Sequence, residues 1–194
     1  MTLAAAAPHG TLNPSPWIVR FAHLISRGAQ VLDVACGAGR HARYFAGRGA
    51  SVLAVDRDGA ALAKLDGVKG ITPCAFDLET GTWPFEGQRF AGVVVTNYLY
   101  RPLFPILFTA LAADGVLLYE TFARGNEAYG RPSNPDFLLE PGELLRLAGD
   151  QLTVIAFEQG DERGNTVAGA RRAVVQRLAA VGPGRAWPSV LDAR

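Results

Sequence analysis

"VLDVACGAGRHARYFAGRGASVLAVDRDGAAL" (residues 31–62) is the stretch on which the fold turns. Residues 31–35 form an apolar run containing one acid, Asp33, and predict a buried strand. Glycines 37 and 39 follow at once, then a helical pattern over 39–48. A second apolar run over 51–55 stops at Asp56. A helix between two strands forces parallel pairing with a right-handed crossover. The loop therefore lies at the carboxyl end of the first strand, beside the switch point where doubly wound sheets bind ligands. Lacking Cβ atoms, Gly37 and Gly39 let the backbone turn sharply and approach such a ligand.

Outward from this unit the same rhythm continues. Ser15 is placed as an N-cap and Pro16 at the first position of a helix over 16–27, whose Trp17, Ile18, Phe21, Leu24 and Ile25 share one face. Further strands are predicted at 71–75, 91–97 and 115–121, and helices at 58–65, 102–112 and 141–149. The connection "DLETGTWPFEGQRF" carries too much Gly, Pro and Trp for a regular helix. Two last apolar runs, "LTVIAFEQG" and "RRAVVQRLAAV", flank the polar "DERGNTVAGA" and read as an antiparallel hairpin. The expected fold is α/β, a doubly wound mixed sheet of seven strands with helices on both faces. One domain over 15–180 is expected, with a disordered N-terminal tail (1–14) and a loose C-terminal tail (181–194).

Composition narrows the class. The chain is 49% hydrophobic and 19% charged, as soluble globular domains are, and contains no apolar run long enough to span a bilayer. A net charge of +1 gives no bulk attraction to nucleic acid or membranes, although a local patch stays open because most of the basic residues are arginine. The two cysteines, Cys36 and Cys74, have no partners at metal-ligand spacing. No disulfide or metal is expected, Cys36 is read as a small buried filler, and a cytoplasmic location follows.

The glycines alone do not name a cofactor. "GAGRHA" satisfies the loose dinucleotide pattern, with Asp56 placed to accept from a ribose diol, so NAD is a real alternative. Asp33 weighs against it. A carboxylate four residues before the first glycine repels a pyrophosphate but suits an ammonium group. S-adenosylmethionine (SAM) carries an ammonium, a sulfonium and a ribose, and no phosphate.

"VLDVACGAG", "AVDRD", "AFDLE", "FAGVVVTNYLYRPLF" and "ADGVLLYETF" resemble the successive motifs of a class I SAM-dependent methyltransferase, over most of the chain. Within that class the chain is most similar to small tellurite-resistance-type and related small-molecule enzymes. The resemblance implies strand order 3-2-1-4-5-7-6 with strand seven antiparallel. It also implies SAM as cofactor and S-adenosylhomocysteine (SAH) as product. Carried over by position, Asp33, Ala35, Gly37 and Gly39 would line the methionine end, and Asp56 the ribose. Arg57, Asp77 and Leu78 would surround the adenine, while Asn97 and Tyr98 would lie below the methyl group.

Two stretches are expected to face the acceptor: "TNYLYRPLF" (96–104) and the long loop after the fifth strand, read as a lid. Glu120, Tyr98 and Tyr129 are the candidate catalytic groups, with Glu120 as general base or cation binder. Arg101, Arg124 and Arg131 are candidate substrate contacts. Packing roles for the tyrosines and solvated roles for Arg124 and Arg131 stay open, and His41 is read as a packing or surface residue. The function expected is methyl transfer by in-line displacement to a small molecule, in a monomer or homodimer. A small NAD-dependent oxidoreductase and a non-catalytic SAM-binding module are the alternatives.

Overall fold

The structure, a computed structural model, describes residues 13–149, 151–166 and 169–186. The central strands are β1 (Gln30–Val34), β2 (Ser51–Asp56), β3 (Ile71–Ala75), β4 (Phe90–Thr96) and β5 (Leu111–Phe122). They are followed by β6 (Thr153–Thr166) and β7 (Gly169–Val181). The order is β3-β2-β1-β4-β5-β7-β6 in one seven-stranded sheet, with β7 antiparallel to both neighbours. This is the sheet expected from the sequence.

Alternation along each strand sends side chains to two cores. One face carries Val31, Val52, Val94, Val116 and Leu118, covered by α1 (Pro16–Phe21), α2 (Arg40–Gly47) and α3 (Gly59–Leu62). The other carries Leu32, Val34, Val93, Val95, Leu117 and Tyr119, covered by α4 (Phe104–Ala110) and α5 (Glu143–Ala148). Helices on both faces explain why the central strands read as nearly continuous apolar runs.

On the α1–α2 face this apolar pattern stops at one level. Thr96 on β4 pairs in register with Glu120 on β5, Glu120 with Arg177 on β7, and Arg177 with Glu158 on β6. A polar rung thus crosses four strands, directly beyond Val94, Leu118 and Ala179. It marks where the core ends and the carboxyl-end cleft begins.

Several element boundaries differ from expectation. The helix expected over 16–27 is α-helical only to Phe21, then tightens into a 3₁₀ turn over Ala22–Leu24 and ends before Gly28 at φ 76°. Two more short helices behave similarly at one end, where 3₁₀ turns satisfy terminal backbone groups that an α-helix leaves open. The polar stretch expected to separate the last two strands is largely paired, from Asp161↔Val174 to Thr166↔Gly169. An antiparallel pair satisfies its own ladder, so the hairpin continues past the end of β5. Part of the expected C-terminal tail is held too. Val181 ends β7, the Gly182 and Gly184 amides donate to Gly115 and Ala113 carbonyls, and Arg185 reaches the Leu24 carbonyl. The rest of that tail, 187–194, and residues 1–12 of the N-terminal one lie outside the described residues.

The loop after β5 is a packed insert rather than an open lid. Leu138 and Leu139 are buried, and Ala123 bridges to Leu139. Buried Asn126 donates to the Pro132 carbonyl and accepts from the Val174 amide. These contacts fix it against β7.

Candidate functional site

The loop after β1 is built from left-handed residues. Ala35 (φ 51°), Gly37 (φ 55°) and Gly39 (φ 74°) bend the chain from strand into α2. A Cβ on Gly39 would stand 2.6 Å from Leu65, so glycine is required there by space as well as by φ. On the adjacent strand β4, Asn97 is also left-handed (φ 56°). Ala35 and Asn97 are the non-glycine residues in this region of φ among those described, and both stand where neighbouring strands end. Such strain persists where surrounding structure enforces it, and it gathers at ligand sites.

Asp56 fastens the loop to the next strand. Its Oδ2 accepts from the Gly37 amide at 2.7 Å and its Oδ1 from the Asp58 amide at 2.9 Å. Each carboxylate oxygen keeps a further lone pair, enough for a diol. Asp77 accepts from the Glu79 amide at 2.9 Å, beside buried Leu78. Arg57 is exposed at the rim. Burial, with Glu79 and Asp77 nearby, holds the Tyr98 hydroxyl well above the usual phenol range. Tyr100 donates to the Glu79 carbonyl at 3.4 Å, which ties the segment after β4 to the loop after β3, on the side expected for adenine.

Asp33 is only 1% exposed. Its Oδ2 accepts from the Ala42 amide at 2.9 Å, capping α2 where Gly39 supplies no side chain. Its Oδ1 has no hydrogen-bond partner. Burial pushes the carboxyl up to about 7, against partial relief from the Ala42 amide and Arg40. Burial likewise holds the Cys36 thiol far above its ordinary range, in keeping with an inert filler.

Above the polar rung, the start of α1 meets the start of α2. Ser15 caps α1 by accepting from the Trp17 amide, and its hydroxyl donates to Glu120 Oε2 at 2.9 Å. The Ser15 amide donates to His41 Nε2 at 3.1 Å. With Nε2 accepting, the ring proton lies on Nδ1, which is 3.3 Å from Thr96 Oγ1. His41 is 1% exposed, and burial lowers its pKa to about 3, so it stays neutral. Glu120 also accepts from Arg177 Nε at 2.7 Å, and Arg177 continues to Glu158 and Glu162.

The expected acceptor-facing residues thus divide. Glu120 stands at the cleft, but as a bonded carboxylate rather than a free base. Arg101 is held elsewhere: it makes two bonds to Glu143 and one each to the Asp136 and Leu138 carbonyls. Arg124 pairs with Glu140 at 2.8 Å. Tyr129 lies under the Arg172 guanidinium, 4.4 Å from its ring centre, and reaches Asp161 on the hairpin. Arg131 is exposed. These four lie on the loop–hairpin side or pin the loop, and the structure does not gather them around Asn97.

Sequence reasoning missed Ser15 as a site residue and Arg177. Arg177 becomes the neighbour of Glu120 only through strand register, and Ser15 only once α1 packs over the sheet.

No described helix is long and apolar enough to cross a membrane. Among the described residues no cluster of His, Cys, Asp and Glu could hold a metal. A sheet ending in an antiparallel hairpin also departs from the parallel order of dinucleotide folds. The family described as a methyltransferase domain matches residues 31–112, from β1 to the start of β5. This is a class I SAM-dependent methyltransferase fold.

Similar solved structures agree with that assignment. TehB from Haemophilus influenzae superposes with a TM-score of 0.70 at 18% identity, covering 92% of this chain. This chain spans 63% of the length of that protein. A SAM-dependent methyltransferase from Methanosarcina mazei gives 0.67 at 14% identity, covering 88% of this chain and 98% of its own. Coclaurine N-methyltransferase, solved with N-methylheliamine and SAH, gives 0.65 at 12% identity, over 85% of this chain and 71% of its own. At these identities the likeness is one of fold. No curated protein matches the sequence. The Ala35–Gly39 loop, Asp56 and Asn97 gather at the carboxyl ends of β1, β2 and β4.

Proposed function

We propose that this protein is a SAM-dependent methyltransferase acting on a small-molecule acceptor. The observation that carries the reading is Asp56: one carboxylate fixes the Gly37 amide and keeps lone pairs for a ribose diol at the end of β2. Asp33 Oδ1, buried and unpartnered beneath the loop, suits an ammonium donor. Asp77 and Leu78 suit an adenine edge, with Arg57 at its rim and Tyr98 closing its far side. Bound SAM supplies a methyl group on a sulfonium, open to in-line displacement. The chain supplies position: Asn97 at the end of β4, and Thr96 and Glu120 on the rung beneath. Orientation of this kind contributes roughly 7–11 kcal/mol in favourable reactions.

Glu120 serves here as a positioning residue, holding Ser15 and the first turn of α1 over the cleft. The net charge of +1 supplies no bulk attraction to nucleic acid, which favours a small molecule as the acceptor in the cleft. The free thiols of Cys36 and Cys74 fit a reducing, cytoplasmic setting. The test is methyl transfer from SAM labelled in its methyl group to a cell extract separated into low-mass, protein and RNA fractions. Label is expected in the low-mass fraction. Label in protein or RNA would overturn the acceptor class, and no transfer despite cofactor binding would favour a binding module.

A further inference from the structure

We propose that His41 is a positioning residue for methyl transfer: its ring is the strut that sets the distance between α2, which opens at the glycine loop, and Asn97 at the end of β4. This role rests on the SAM reading above, in which the loop holds the donor and Asn97 lies beneath the methyl group.

His41 sits in the first turn of α2, beside Ala42, whose amide is fastened to Asp33 of β1. Its Nε2 accepts from the amide of Ser15, the cap of α1, at 3.1 Å. Nδ1 therefore carries the proton and offers it to Thr96 Oγ1, 3.3 Å away. Thr96 is the last residue of β4, and Asn97 follows it with φ 56°. The Asn97 amide donates to the Glu120 carbonyl at 2.9 Å, and the Glu120 carboxylate accepts from the Ser15 hydroxyl at 2.9 Å. These bonds close a circuit: Ser15 to His41 to Thr96, through Asn97 to Glu120, and back to Ser15. It ties together α1, α2, β4 and β5 at the mouth of the cleft.

Packing alone does not require this arrangement. Ser15, His41 and Thr96 are all buried, and an apolar side chain at 41 would need no partners there. A buried imidazole must satisfy both nitrogens, and this one does so with groups on two other elements. Burial keeps the ring neutral, as the one donor and one acceptor that those groups need. The residue at the far end of the strut is the unusual one. Asn97 is exposed and left-handed, a conformation that persists where neighbours over-determine it. Glu120 holds its amide, and His41 holds the residue before it. In-line transfer makes such bracing matter, because a misplacement of about 1 Å can cost about 100-fold in rate.

The test removes the oxygen on which the strut ends. Thr96→Val keeps the shape of the side chain without its hydroxyl, and Thr96→Ser keeps the hydroxyl. In the full chain, Thr96→Val should slow transfer of labelled methyl from saturating SAM to low-mass extract about 10- to 100-fold, with SAH affinity held within about threefold. Thr96→Ser should recover most of the lost rate. Two readouts need no acceptor. Hydrogen exchange at the Asn97 amide should quicken about 10-fold in Thr96→Val and stay near wild type in Thr96→Ser. In the wild type, NMR of the His41 ring should find the proton on Nδ1 and no titration between about pH 5 and 8. Rate and SAH affinity falling together, valine and serine variants behaving alike, or a proton on Nε2 would overturn the strut. A wild-type protein that binds no SAH would overturn the SAM reading itself, with exchange and NMR still deciding the circuit.

Discussion

Glu120 and Arg177 face each other across β5 and β7, with Arg177 Nε donating to Glu120 Oε2 at 2.7 Å. Both side chains are largely shielded, at 11% and 14% exposure. Removing Arg177 leaves the Glu120 carboxylate with only the Ser15 hydroxyl in a poorly solvated place, and stranding a buried charge typically costs roughly 3–5 kcal/mol. Arg177→Leu is expected to lower stability by about 3 kcal/mol, and Glu120→Leu by less, because Arg177 keeps Glu158 and Glu162. The double variant should lose clearly less than the sum, because neither charge is left alone. Urea denaturation of the four proteins measures the coupling, and additive losses would show that the pair does not act as a unit.

Asp33 and His41 give opposing pH dependences. Asp33 titrates at about 7 against an ordinary 3.8, so between these values the folded chain keeps a proton that the unfolded chain has lost. Stability falls as pH rises through that window, by about 4 kcal/mol in full. His41 titrates at about 3 against 6.5, so the unfolded chain holds the extra proton and stability rises with pH over that range. The two slopes oppose each other from about pH 4 to pH 6.5. Relative to wild type, Asp33→Asn should gain stability with rising pH there, and His41→Asn should lose it. Urea midpoints across the window read both slopes, and three parallel curves would contradict the assignment.

Asp33→Asn carries a second expectation. The variant removes the carboxylate offered to the cofactor ammonium, so SAH affinity should fall about 10-fold or more even where the apo protein is stabilised. Unchanged affinity, read by calorimetry, would remove Asp33 from the cofactor site.

Arg101→Ala separates a pin from a substrate contact. Arg101 ties Glu143 to the Asp136 and Leu138 carbonyls and so fastens the loop to α5. Losing it should lower stability by about 2 kcal/mol while leaving SAH affinity within about twofold of wild type. Thermal unfolding and SAH titration check the two halves. A stable variant with selectively lost acceptor turnover would restore Arg101 as a substrate contact.

The parts legible in the sequence are those set by local pattern. Strand β1, the glycines at 37 and 39, Asp56 at a strand end and the terminal hairpin all follow from short-range periodicity and turn chemistry. The polar rung was not legible, because Thr96, Glu120 and Arg177 become neighbours only once the register of three strands is known. For the same reason Glu120 looked like a free acid and Arg101 and Arg124 like free cations. Their partners, Arg177, Glu143 and Glu140, lie 16 to 57 residues away. The loop after β5 looked open because its turns carry little periodicity, yet Leu138, Leu139 and Asn126 bury it against the sheet.

The central claim is that the loop from Ala35 to Gly39, with Asp56, is built for SAM and not for a dinucleotide. Calorimetric titration of wild type and Asp56→Ala with SAH and with NAD tests it most directly. The account predicts one SAH site per chain, weakened about 100-fold by Asp56→Ala as two hydrogen bonds to a carboxylate are lost, and no NAD binding. NAD binding without SAH binding, or SAH affinity indifferent to Asp56→Ala, would contradict it.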